Sequence, residues 1–152
     1  MNIGRVFLPF GLILAMLVGS YAATSDVKVV KLDAYNTLRF SPNKIQVQPG
    51  QTVKLTLKNE SDLPRTAMQH DWLLLRAGSD AKIYAKVALT DKADNYMPKS
   101  LAGEVIVGVS LLGSLESHTI TFKAPETPGA YPFLCSSPGH SGDGMSGVLI
   151  VK

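Results

Sequence analysis

The chain is nearly devoid of cysteine, with one thiol, Cys135, in 152 residues. No intramolecular disulfide can form, so whatever that sulfur does, it does as a thiol or thiolate. Charge of one sign is scarce too. The net charge is +3, and the Lys and Arg residues are scattered, which excludes a basic nucleic-acid surface. No internal repeat and no low-complexity segment occurs. The length suits one domain with a core and is short for two. What is present is 45% hydrophobic residues with 13 Gly and 9 Pro, the composition of a loop-rich globular domain.

Another absence lies at the start, where no charge separates Arg5 from Asp26. The apolar run Val6 to Val18 leads to Gly19-Ser20-Tyr21-Ala22-Ala23, with small residues suited to cleavage after Ala22. Residues 1–22 read as an export signal and residues 23–152 as the mature domain. The competing reading is a retained anchor over residues 6–25, since a spanning helix needs about 20 apolar residues. Pro9, Gly11 and Gly19 weaken that helix, so removal is the expectation. No cysteine follows the apolar run, which excludes a lipid-modified one. The domain is expected outside the cytoplasmic membrane, periplasmic or extracytoplasmic, and tethered only if the leader stays.

Short runs then alternate apolar and polar residues, as half-buried strands do. Val27 to Leu32 is one. Ile45 and Val47 precede a turn at Pro49-Gly50, and Val53, Leu55 and Leu57 alternate with Lys54, Thr56 and Lys58 after it. Ile120 and Phe122 repeat the pattern, and Gly147 to Lys152 closes the chain. Ser79 to Asp94 breaks the rhythm. It is rich in Ala, with Ile83, Tyr84, Val87 and Ala88 apolar, and reads as one helical flap capped by Ser79. Many short strands, Pro/Gly turns and one helix predict an all-β, antiparallel sandwich.

One loop breaks the composition. In "CSSPGHSGDGM", Cys135, His140 and Met145 follow one another at intervals of five. A lone cysteine or methionine is ordinarily core filler, but a packing loop would want apolar neighbours. Gly139, Gly142 and Gly144 permit tight turns instead. Thiolate and thioether are soft donors and imidazole a borderline one, a set that favours copper over Mg²⁺ or Ca²⁺. A second histidine must come from elsewhere. His118 has no other donor beside it and reads as structural. His70 stands where a loop containing Pro64 meets an apolar run holding the only tryptophan, placed to reach a second loop across the end of a sandwich.

From about Val27 to Lys152 the sequence resembles the cupredoxins, nearest the azurin and auracyanin branch. The resemblance is carried by "LPRTAMQHDW" and by "YPFLCSSPGHSGDGMSGVLIVK", whose Cys-x4-His-x4-Met spacing matches the auracyanin pattern. It implies a cupredoxin-like Greek-key β-sandwich with one helical flap. It also implies one copper ion, Cu(I)/Cu(II), on His70, Cys135 and His140, with Met145 as a long axial ligand. In azurins the carbonyl before the first histidine approaches the metal, and Gln69 holds that position here. Trp72 matches a core tryptophan. Two departures stand out: Asp71 where azurins have asparagine, and Ser137 where they have an aromatic residue.

The resemblance implies a single-electron carrier and no enzyme. Four protein donors leave no evident open position for substrate, and a cysteine–histidine nucleophile would need an orienting group and a pocket. A copper carrier or chaperone holding Cu(I) with the same donors is the alternative. Redox protein partners are expected at an apolar patch around His140, drawing on Leu63, Pro64 and Met68, with Arg65 steering acidic partners from its rim. Pro138, lacking an N–H, is expected to deny the thiolate a second donor. Asn59-Glu60-Ser61 fits a glycosylation acceptor.

Overall fold

A computed structural model describes residues 26–152. The expected export signal, residues 1–22, and the whole of the alternative anchor, residues 6–25, lie outside the described residues. Among the described residues no helix is long and apolar enough to cross a membrane.

The strands are β1 (Lys28–Tyr35), β2 (Arg39–Ser41), β3 (Lys44–Val47), β4 (Thr52–Asn59), β5 (His70–Leu75), β6 (Val105–Leu112), β7 (Ser117–Lys123), β8 (Gly129–Leu134) and β9 (Ser146–Val151). They form two facing sheets, ordered β2-β1-β4-β7 and β3-β9-β8-β5-β6. The period-two pattern does what it must. Leu32, Leu55 and Leu57 are fully buried between the sheets while Lys31, Lys54 and Lys58 face out or lie at the margin. Each such leucine contributes about 2 kcal/mol of burial.

The sandwich is not wholly antiparallel, as the alternation had suggested. β1 runs parallel to β4, and β3 parallel to β9. Alternation tells which face is buried and says nothing of the neighbour's direction. Here β3 crosses to the second sheet between β2 and β4, so β4 returns to the first sheet parallel to β1. β6 and β8 escape the periodicity because VIVGVSLL is a continuous apolar run and β8 contains Pro132.

β5 is buried along its whole length. Trp72 and Leu74 enter the main core, where the indole lies 6.0 Å from the Phe122 ring and 5.8 Å from that of Phe133. Leu73 and Leu75 face the other way, into a smaller core with Tyr84, Ala88 and Leu134 under helix α1 (Ala81–Ala88). This helix is shorter than expected. Asp80 caps it in place of Ser79, its carboxylate accepting from the N–H groups of Lys82 and Ile83. The Ser79 hydroxyl donates to Glu104 instead. A 3-10 turn at Lys92–Asp94 and a left-handed Asn95 (φ 53°) end the helical stretch.

Candidate metal centre

Three elements converge at one end of the sandwich. His70 is the first residue of β5, Cys135 follows the last residue of β8, and His140 and Met145 belong to the loop leading into β9. That loop is held by its own backbone. Cys135 N–H donates to the Met145 carbonyl at 3.1 Å, and Met145 N–H to the His140 carbonyl at 2.9 Å. Gly139 (φ 85°) and Gly144 (φ 99°) take left-handed conformations that side chains would strain. Gly144 also makes room for Arg39, whose guanidinium donates to the Asp143 carbonyl at 2.6 Å.

The donor atoms of His70, Cys135 and His140 all lie within 4.8 Å of one another. Cys135 Sγ stands 3.4 Å from His140 Nδ1 and 3.9 Å from His70 Nδ1. Two donors bound to one ion at about 2.0–2.3 Å stand about 3.5–3.8 Å apart, so the two separations bracket what a shared ion requires. His70, Cys135 and Met145 are fully buried, whereas His140 is half-buried. His118 is exposed at the start of β7, opposite Leu57, and stands outside this group.

Burial sets the protonation of these groups. It holds His70 down at about 4, with the neighbouring His140 adding to the effect. His140 is lowered for the same reason, against an opposing pull from Asp143. Both imidazoles are neutral donors at neutral pH. Burial pushes the Cys135 thiol well above its ordinary value, and the Asp71 carboxylate adds to this. Opposing them, the backbone N–H groups of Asp71 and Ser137 favour the thiolate. Pro138, without an N–H, takes no part.

Asp71 ties the His70 segment to the Cys135 loop. It is fully buried, and one oxygen accepts from Ser136 N–H at 2.6 Å while the other accepts from the Ser136 hydroxyl. Desolvation raises its pKa to about 6, with the Ser136 hydrogen bonds pulling it back down. Beside it, the Ser137 hydroxyl donates to the Gln69 carbonyl at 2.9 Å. The sequence does not reveal this role, because a small polar residue in a Gly/Ser loop has no signature of its own.

The surface residues divide. Leu63 and Pro64 are exposed and Met68 is half-buried. Arg65 is not free at a rim: it pairs with Glu116 at 3.4 Å and donates to the Leu111 carbonyl at 2.9 Å. Asn59 is fully buried, its amide donating to the Leu112 carbonyl and accepting from Ser61 N–H, which removes it as a glycosylation acceptor in the folded protein.

A two-sheet sandwich in which buried His70 and Cys135 meet half-buried His140 at one end presents the donor set of a blue-copper site. Residues 27–152 match the family of copper binding proteins described as the plastocyanin/azurin family, and the chain belongs to it. Within that family it is a cupredoxin of the azurin and auracyanin kind. It is 29% identical to auracyanin-B of Chloroflexus aurantiacus over 119 residues, 78% of this chain and 49% of that protein. The chain thus spans about half the length of that relative. It is 30% identical to azurin of Pseudomonas denitrificans over 126 residues, 81% of this chain and 97% of that one. The solved auracyanin A of Chloroflexus aurantiacus, a "blue" copper protein, superposes with a TM-score of 0.71 at 30% identity, over 84% of this chain and all of that one. The protein is a copper-binding cupredoxin of this family.

Proposed function

We propose that His70, Cys135 and His140 would hold the copper, with the Met145 thioether as a further, weaker donor, and that residues 23–152 carry single electrons between redox proteins outside the cytoplasmic membrane. The observation that carries this reading is the convergence of the Cys135 sulfur with the Nδ1 atoms of His70 and His140. Bound copper supplies a one-electron couple. The chain supplies rigidity. Strand ends fix His70 and Cys135, and the Asp71–Ser136 hydrogen bonds tie the His70 segment to the Cys135 loop. A fixed cage limits the rearrangement that would slow transfer, and the amides of Asp71 and Ser137 tune the sulfur. His140, half-buried, offers the route to the surface. Leu63, Pro64 and Met68 form the apolar ground on which a partner would bring its own centre close.

The test is a visible spectrum of the copper-loaded protein before and after reduction. An intense thiolate-to-copper band that vanishes on reduction is expected. A colourless cupric protein would favour the copper-carrier alternative. Met68→Lys is expected to slow electron self-exchange with colour and potential barely changed, and unaltered exchange would move the exit away from this patch.

A further inference from the structure

On another flank of the metal loop the structure opens a cleft of ≈ 200 Å³ between α1 and the 135–145 loop. One helical stripe lines it: Lys82, Ala85, Lys86 and Leu89, spaced three and four residues apart and so on one side of the helix. Facing them are Gly139 and Ser141, the residues before and after His140. Ala85 and Leu89 make an apolar wall, and Leu89 is 50% exposed although it is a large hydrophobe.

Three observations separate this cleft from an ordinary surface groove. Lys82 and Lys86 are exposed, and neither is in an ion pair among the described residues. The acids nearest in sequence, Asp80, Asp91 and Asp143, do not line the cleft, so Lys82 and Lys86 are the charged residues of its lining. The Ser141 hydroxyl is buried without a hydrogen-bond partner. The volume then decides what kind of occupant fits. Small-molecule pockets run to about 300–1,000 Å³. A smaller cleft suits one inserted side chain, the usual anchor of a protein–protein contact.

We infer that this cleft receives a single apolar side chain from an acidic redox partner, whose flanking carboxylates pair with Lys82 and Lys86. The inference rests on the electron-carrier reading for the nature of the partner and adds the surface that selects it. A partner seated here touches the loop on both sides of His140. Paired lysines at the rim speed the encounter and set its orientation, and their contribution weakens as salt rises.

The probes are three capped pentapeptides, Glu-Glu-Phe-Glu-Glu, Glu-Glu-Gly-Glu-Glu and Lys-Lys-Phe-Lys-Lys, added to the copper-loaded protein in its diamagnetic reduced state. Amide chemical shifts report where each binds. The acidic phenylalanine peptide is expected to move the signals of Lys82, Lys86, Gly139 and Ser141, less so at high salt. The glycine peptide should bind at least tenfold more weakly and the lysine peptide not at all. Two variants separate charge from shape: Lys82→Glu with Lys86→Glu reverses the rim, and Ala85→Phe fills the cleft with the lysines kept. Each should weaken the acidic phenylalanine peptide at least tenfold while the reoxidised protein keeps its colour. Full binding to Ala85→Phe, shifts centred on Leu63 and Met68, or no binding to the parent protein would each overturn the inference. A colourless oxidised parent would sink the carrier reading instead, so the two failures are distinguishable.

Discussion

The hydroxyl of Ser137 donates to the main-chain carbonyl of Gln69 at 2.9 Å, across 68 positions of sequence. Gln69 precedes the first histidine and Ser137 lies two residues beyond the cysteine, so the bond joins the two segments that form the site. With the two bonds from Ser136 to Asp71, three hydrogen bonds cross between the segments within three residues on each side. The bond also occupies a carbonyl that, in azurins, faces the metal.

Ser137→Ala releases that carbonyl. Losing one such hydrogen bond is expected to lower the stability of the metal-free protein by about 1 kcal/mol, read as a fall in Tm, while Ser137→Thr retains it. A freed carbonyl oxygen is a hard donor, so zinc should compete better with copper in Ser137→Ala than in the parent. Competition titrations that match the parent would show that the carbonyl keeps its direction without the hydroxyl.

Asp71 carries a cost that asparagine would not. Its pKa rises from 3.8 to about 6 in the folded protein, because burial penalises the charge. A raised folded value means that the folded state holds this proton more tightly than the unfolded chain does. The associated stability is present below pH 3.8 and is lost as pH climbs through about 6. The loss is about 3 kcal/mol. Asp71→Asn should therefore raise the Tm of the metal-free protein at pH 7 and flatten its pH dependence between 4 and 6. Removing a negative charge beside the thiolate should also raise the reduction potential. Thermal scans across pH and a redox titration check both, and a lower Tm at pH 7 would contradict the first.

The ligand assignment makes its own demands. Cys135→Ser should abolish the intense visible band, because the colour arises from sulfur-to-copper charge transfer. His118→Ala should leave it intact. Met145→Leu should keep copper and colour and raise the potential, since a weak thioether donor to Cu(II) is lost. Absorption spectra and potentials decide these, and bleaching by His118→Ala would void the assignment.

Copper uptake should release one proton. Burial and Asp71 keep the Cys135 thiol protonated in the metal-free protein, whereas lowered pKa values leave His70 and His140 already neutral. Between pH 7 and 8 the apparent affinity for Cu(II) is expected to rise about tenfold per pH unit. Proton release measured in weakly buffered solution should give one equivalent per copper. Two or more would mean that a histidine is charged before binding.

Several features were legible without coordinates. Alternation placed Leu32, Leu55 and Leu57 inside, because a strand's side chains change face at every residue. The Cys135–His140–Met145 spacing was legible because one short loop carries all three, and His70 stood out by its place before a continuous apolar run. The helix was legible in existence and wrong at its start, where Asp80 and Ser79 compete to cap and the distant Glu104 claims Ser79. Strand direction, the pairing of Asp71 with Ser136 and of Gln69 with Ser137, the neutralisation of Arg65 by Glu116, and the cleft under Lys82 and Lys86 all needed the folded chain.

The sequence by itself determined that one thiolate, two imidazoles and a thioether were available, and which residues pointed inward, since donor chemistry and side-chain period are local properties. Tertiary structure alone decided that β5 and β8 lie side by side, so that His70 meets Cys135 across 65 positions. Contacts of that kind depend on how sheets stack and strands order themselves, which is set by the summed burial of the whole core and is written in no single segment.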